Sequence, residues 1–288
     1  MRKRFAAGAV VAVIVALLSV ATFRVYAITY GFVDSTNAYS NVGAFIVQAP
    51  TGEIYPICSG TLITPNVFLT ASHCTAYFTN VLEPQGYTAF VSLDASIPFG
   101  ELTSEETTLL AVETVVTNPD YNQAQSDSGD VGVLILAEDV TGITPATLPE
   151  CGLLDQLGQK NGLKDALFTA VGYGVQERVV GGGVPYFQDV NPIPRMYSFS
   201  TFNALNGGYL RLSQNPATGS GGTCFGDSGG PIFLTVDGQQ ILVAITITGD
   251  AVCRATNVVY RLDTASAQSF LTYVNTTYGT SIPVTCGQ

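Results

Sequence analysis

Gly226-Asp227-Ser228-Gly229-Gly230-Pro231 is the stretch from which the rest of the chain can be read. A serine between glycines can sit on a sharp turn with its Oγ exposed, and the uncluttered backbone N–H groups around it can converge on a developing negative charge. The pattern alone fits more than one kind of nucleophilic site, and also a plain glycine-rich turn. Its meaning depends on where the chain places a histidine and a carboxylate.

The segment lies in a chain of short β-branched and aromatic runs broken by Gly, Pro, Asn and Asp. Upstream these are 44–48, 67–70, 88–93, 109–116 and 131–136; on the far side of a weakly patterned stretch holding Pro145, Pro149, Gly152 and Gly158 they are 167–171, 209–212, 231–236, 241–248 and 258–262. Such spacing predicts an all-β barrel or sandwich, with the weak stretch joining two halves. One helix is predicted, from Ser266 to Asn275, capped by Thr264 or Ser266.

Chain order narrows the chemistry. The chain has a single histidine, His73, far upstream of Ser228. In α/β-hydrolases the serine comes first and the histidine last, so that arrangement is excluded. A subtilisin order needs an aspartate before His73, and Asp34 is the only one available. The remaining order is His, Asp, Ser. His73 lies in Leu69-Thr70-Ala71-Ser72-His73-Cys74, and Asp130 opens the apolar run Asp130-Val131-Gly132-Val133-Leu134-Ile135-Leu136.

With these segments in view, the chain resembles the chymotrypsin and trypsin family of serine proteases. The marks are Cys58-Ser59-Gly60-Thr61-Leu62-Ile63, the two segments around His73 and Asp130, Gly172-Tyr173-Gly174, and the segment around Ser228, in family order. The resemblance implies two Greek-key six-stranded β-barrels with a short C-terminal helix, the first over about 28–145 and the second over about 160–288. It implies a His73, Asp130, Ser228 triad that cuts peptide bonds through an acyl-enzyme, with an oxyanion hole from the Gly226 and Ser228 amides. It also implies the disulfides Cys58 with Cys74 and Cys224 with Cys253 and, with those made, Cys151 with Cys286.

For specificity, the resemblance places Gly222 at the base of the substrate pocket, with Thr223, Ile247, Thr248, Gly249 and the Asn257-Val258 region as walls. Without an acid at Gly222, or a second histidine, the expected P1 side chains are uncharged, apolar and small to medium. Ile247 stands where the family has a serine that supports the triad aspartate, a task Thr246 or Thr248 could take over after a local shift.

The first residues, Met1-Arg2-Lys3-Arg4, are basic, and an uncharged apolar run follows from Phe5 to Phe23. This is a secretory signal pattern, with Val25-Tyr26-Ala27 as the cleavage site, so residues 1–27 are expected to be removed on the way to an extracellular location. Cleavage there would expose Ile28-Thr29-Tyr30-Gly31. By the resemblance, the new Ile28 ammonium would pair with Asp227, so that signal cleavage itself activates the enzyme.

The formal net charge is −11, and cleavage would remove four basic residues (Arg2, Lys3, Arg4, Arg24) and no acid. A nucleic-acid partner is excluded by that balance. All six cysteines lie beyond the signal, as befits disulfides rather than a metal site. No cofactor is expected; the acidic residues Asp94, Glu101, Glu105, Glu106 and Glu113 leave calcium open. Partners are protein or peptide substrates, with no stable membrane insertion after cleavage and a monomeric state as the default. Two alternatives stay open: a catalytically inactive binding protein on the same fold, and a membrane-tethered protease.

Overall fold

The computed structural model describes residues 28–100, 107–122, 124, 126–176, 178–179, 186–187 and 190–287. The predicted signal segment, with its membrane-anchor alternative, and Glu101, Glu105 and Glu106 lie outside the described residues.

Twelve strands form two closed antiparallel barrels. The first contains β1 (Val42–Gln48), β2 (Ile54–Thr64), β3 (Val67–Thr70), β4 (Thr88–Ser92), β5 (Leu110–Val116) and β6 (Gly132–Leu136), in the order β1-β2-β3-β6-β5-β4 and back to β1. The second contains β7 (Leu167–Gly172), β8 (Met196–Leu205), β9 (Tyr209–Ser213), β10 (Pro231–Val236), β11 (Gln239–Gly249) and β12 (Thr256–Arg261). Its order is β7-β8-β9-β12-β11-β10, closed by β10 on β7. In each barrel three consecutive strands pair and the fourth returns beside the first, which defines a Greek key.

The shared topology sets the stage for the site. In both barrels the third and fourth strands are joined by a long connection, residues 71–87 in the first and 214–230 in the second. The first connection carries His73 on α1 (Ser72–Tyr77), followed by a π turn over Phe78–Leu82, and the second carries Ser228. Asp130 comes from the β5–β6 connection of the first barrel.

The predicted strand runs match observed strands to within about two residues, and two strands went unread. β2 passes through Pro56, Ser59 and Gly60, and β8 reads Met-Tyr-Ser-Phe-Ser-Thr-Phe-Asn-Ala-Leu, so neither presents a continuous apolar run. Tertiary contacts explain both. A Cβ at Gly60 would stand 2.4 Å from a Phe68 ring carbon, and Ser200 donates from its buried Oγ to the Gly221 carbonyl.

The stretch between the halves contains α2 (Leu153–Gly158), which went unread because it is only six residues long. The C-terminal helix α3 (Ala265–Tyr278) is capped by Thr264, whose Oγ1 accepts from the Ala267 amide. Its apolar face, with Phe270, Leu271 and Val274, joins the cluster that contains Ile63 and Val67 of the first barrel, so the end of the chain packs back across the halves. The start of the chain crosses the other way: Phe32–Val33 pairs with β8, and Thr29 bridges Gly222. The region beginning at residue 28 therefore serves the second barrel before the chain enters the first.

Among the described residues, no helix is long and apolar enough to cross a membrane. Three disulfides are formed, Cys58–Cys74, Cys224–Cys253 and Cys151–Cys286.

Candidate active site

His73 and Asp130 meet by two hydrogen bonds. The His73 amide donates to Asp130 Oδ1 at 2.8 Å, and Nδ1 lies 2.9 Å from Oδ2. With Nδ1 turned to the carboxylate, Nε2 is the ring nitrogen left to exchange a proton with a third group. The side chain of Asp130 is 9 % exposed and that of His73 30 %, so the carboxylate is sheltered while the imidazole opens to solvent.

The loop that carries Asp130 is itself held. Ser72 Oγ donates to the Val131 carbonyl and accepts from the Asn118 amide, while Asn118 Nδ2 donates to the Gly129 carbonyl. Asp34, the alternative partner suggested by chain order, is buried elsewhere against Arg195.

The Ser228 backbone, from the second barrel, lies against the loop that carries His73, its carbonyl oxygen 3.9 Å from Cys74 Sγ. Its carbonyl accepts from the Ser59 amide at 2.8 Å, and Cys58, beside Ser59, is bridged to Cys74, beside His73. Gly229 sits at φ 78°, so close to the end of β3 that a Cβ would stand 2.2 Å from Thr70 Oγ1 and 2.7 Å from the Ala71 nitrogen. Only glycine allows that approach, which brings the serine turn against the strand leading to His73.

Four amides around Ser228 are engaged. Cys224 N donates to Asp227 Oδ2, Asp227 N to the Cys224 carbonyl, Gly229 N to Thr246 and Gly230 N to Asp227. The amides of Phe225, Gly226 and Ser228 donate to no group among the described residues. The Phe225 carbonyl accepts from Val175 N at 2.7 Å, and a planar trans peptide turns the following Gly226 N–H the opposite way. Ser59 fixes the far side of that turn: its Oγ donates to the Gly226 carbonyl and accepts from the Tyr173 amide. The sequence reading placed Ser59 within a motif but assigned it no part in the site.

Asp227 is fully buried. Its Oδ1 accepts from Gly174 N and its Oδ2 from Cys224 N, each at 2.8 Å. Burial pushes its carboxyl up to about 7, against the pull of those two amides. Ile28 is also fully buried, packed with Met196, and in this chain its nitrogen is a peptide nitrogen.

A cavity of about 310 Å³ opens at Ser228. Of the predicted pocket residues, Thr223, Ile247, Thr248 and Gly249 line it, joined by Thr246 and Asp250. Val258, which pairs with Thr248 and Arg211, is not part of the lining. Neither is Gly222, because a buried glutamine fills the space beside it. A Cβ at Gly222 would stand 2.0 Å from Gln214 Oε1 and 2.2 Å from Gln214 Cβ. Gln214 Oε1 accepts from the Thr223 amide, and Nε2 donates to Asp250 Oδ1. Gly222→Asp is therefore expected to cost about 1–3 kcal/mol of stability by overpacking, read as a lower urea midpoint, and to yield no cleavage after Arg.

Ile247 sits at a bulge, where the register with β12 shifts between Thr246 and Thr248. Among the described residues neither threonine takes over the supporting hydrogen bond: both bonds described for Asp130 come from His73, and Thr246 Oγ1 has no partner there. A second cavity, of about 230 Å³, lies beyond Gly226 and is walled by Tyr55, Phe99, Tyr173 and Phe225.

Among the described residues, the close grouping of metal-type ligands is Cys58, His73 and Cys74, and both of its thiols are consumed in a disulfide. Asp94 accepts from Thr107 Oγ1 and the Thr108 amide.

Two closed six-stranded Greek-key barrels with a short C-terminal helix define the trypsin-like class of fold. A family model described as Trypsin matches residues 32–270, and the chain belongs to that family. It is 27 % identical over 215 residues to the CLIP domain-containing serine protease B15 of Anopheles gambiae, a match covering 70 % of this chain and 57 % of that protein. It is 29 % identical over 161 residues to vitamin K-dependent protein C of Equus caballus, covering 51 % of this chain and 94 % of the relative. Against human chymotrypsin-like elastase family member 1 the identity is 26 % over 199 residues, covering 68 % and 71 %.

Proposed function

We propose that the protein is a secreted serine endopeptidase in which Ser228 attacks the peptide carbonyl. His73 acts as general base and then general acid, and Asp130 orients and charge-stabilises the imidazole. The observation that carries this reading is the pair of hydrogen bonds between His73 and Asp130, with Nε2 left for Ser228. The unengaged Gly226 and Ser228 amides would receive the oxyanion, each worth on the order of 3 kcal/mol in the transition state. The acyl side chain would enter the cavity at Ser228, and the leaving peptide would pass along the cavity beyond Gly226. Uncharged P1 residues of small to medium size suit the first of these, since no free carboxylate stands at Gly222.

Fluorophosphonate labelling of the secreted protein, beside a Ser228→Ala control, tests the assignment. A label mapped to Ser228 is the expected result. A folded, unlabelled protein with Ile28 at its terminus would instead indicate an inactive binding protein.

Activation follows from cleavage after Ala27. Ile28 stands at φ 56°, a costly conformation for a β-branched residue, and φ is defined by the preceding carbonyl that cleavage removes. The freed ammonium would give Asp227 the counter-charge that its burial lacks.

This has a pH signature. In the uncleaved chain the Asp227 carboxyl titrates near 7 when folded, well above its unfolded value. The folded state then binds more protons than the unfolded state between those values, so stability falls as pH rises from about 4 to about 7, by on the order of a few kcal/mol. Urea unfolding from pH 4 to 8 should show this fall, and Asp227→Asn should flatten it. A chain starting at Ile28 should lack it too, and an identical slope in that chain would end the activation proposal.

A further inference from the structure

The carboxylate of Asp130 is placed chiefly by the backbone that carries it. Both hydrogen bonds it receives among the described residues come from His73, and the aliphatic side chain of Ile247 has no donor to add a third. The residue just before it is fastened on every side. Gly129 stands at φ 61°, and a Cβ there would come 2.9 Å from the Asp120 carbonyl oxygen. Its carbonyl accepts from Asn118 Nδ2 and from the Val131 amide, and its own amide donates to Asp127 Oδ1 at 3.0 Å.

The same Asp127 oxygen is held from the second barrel. Tyr260 on β12 donates its hydroxyl to Asp127 Oδ1 at 2.7 Å. Tyr260 is fully buried, and burial, with the Asp127 carboxylate adding to it, raises the phenol above its ordinary range, so it stays a neutral donor. Its strand partner on β9, Tyr209, donates to the Ala124 carbonyl at 2.9 Å. A Cβ at Gly208 would stand 2.8 Å from the Ser126 carbonyl oxygen, so the loop is seated directly on this barrel. Ser72 and Asn118, the other anchors of the Asp130 loop, belong to the first barrel. The Tyr260 bond ties the loop to the barrel that carries Ser228.

We infer that Tyr260 and Asp127 are positioning residues for Asp130. The Tyr260 hydroxyl holds Asp127 Oδ1, Asp127 Oδ1 holds the Gly129 amide, and Gly129 sets the direction in which the chain enters Asp130. The inference rests on the proposed peptidase reading, and it assigns to a bond between the barrels the support that Ile247 cannot give. Catalytic groups tolerate little displacement: a misplacement of about 1 Å can cost on the order of a hundredfold in rate. A single buried hydroxyl that keeps the His73 and Asp130 half in register with the Ser228 half therefore acts on the chemical step without touching substrate.

The test is steady-state kinetics on one fluorogenic peptide, with fluorophosphonate labelling of the wild type done first. Tyr260→Phe and Asp127→Ala should each lower kcat by on the order of tenfold with KM little changed, since both act through the placement of Asp130. Asp127→Asn keeps a carbonyl oxygen for both donors and should restore kcat to near the wild-type value. Ser266→Ala, which removes the other hydroxyl near Tyr260, should leave kcat unchanged. In an Asp130→Ala background, Tyr260→Phe and Asp127→Ala should have no further effect, because the group they position is gone. A wild type that takes no label fails the peptidase reading, and this inference with it. With a labelled wild type, a folded Asp127→Ala protein within about twofold of the wild-type kcat overturns the positioning role. So does a loss that Asp127→Asn shares, or one that persists in full without Asp130. Asp127→Ala cuts the link from the loop side, so the result does not depend on whether Tyr260→Phe folds.

Discussion

Ser228→Ala and His73→Ala should each lower kcat by on the order of a million-fold on a peptide substrate, with the urea unfolding midpoint little changed. Triad members act as a unit, so losing either the nucleophile or the base removes nearly all of the chemistry. The double variant should therefore be hardly slower than either single one. Asp130→Asn should cost on the order of ten-thousand-fold, because an amide facing Nδ1 favours the wrong imidazole tautomer. Steady-state kinetics on the purified, N-terminally sequenced protein measures all four. A Ser228→Ala protein retaining more than about a thousandth of the wild-type rate would remove Ser228 from the mechanism.

The second large effect is on stability. Arg195 and Asp34 form an ion pair with no exposed side-chain surface, Nε to Oδ2 at 2.9 Å. Arg195 Nη1 donates to the Val42 and Leu93 carbonyls of the first barrel and to the hydroxyl of Tyr173, which follows β7 of the second, while Nη2 donates to Asn37. Asp34 in turn accepts from the Ala38 and Tyr39 amides. The pair fastens the segment after Ile28 to both barrels.

Arg195→Met leaves a buried carboxylate without its cation and should cost about 3–5 kcal/mol in urea unfolding. Adding Asp34→Leu should recover part of that loss, since removing both charges is less harmful than stranding one. A single variant within 1 kcal/mol of wild type would show that the network contributes little.

The proposed triad is legible in the chain as residue type and order. One histidine, an aspartate opening an apolar run, and a serine between glycines leave few permitted arrangements. Most strands were equally open, since half-buried strands carry alternating or β-branched apolar residues. β2 and β8 hid because their serines and glycines are buried by partners distant in sequence, as when Ser200 donates to Gly221. Asp34 is a comparable case. Its place before His73 made it a formal candidate for the site, and only the fold shows its carboxylate committed to Arg195.

The pocket divides the same way. Gly222 is one residue in the sequence, but Gln214, eight positions earlier, occupies the space beside it and so takes it out of the cavity wall. Thr246 and Asn257 lie on paired strands, and only the fold shows that their side-chain polar groups are buried without a partner among the described residues. The sequence by itself determined an all-β class and the order of His73, Asp130 and Ser228 along the chain, because local pattern and chain order depend on near neighbours, and the two barrels came from its family resemblance. The tertiary structure alone decided which polar groups are answered and which stay unpaired, because hydrogen-bond satisfaction in a barrel is settled between residues that only folding brings together.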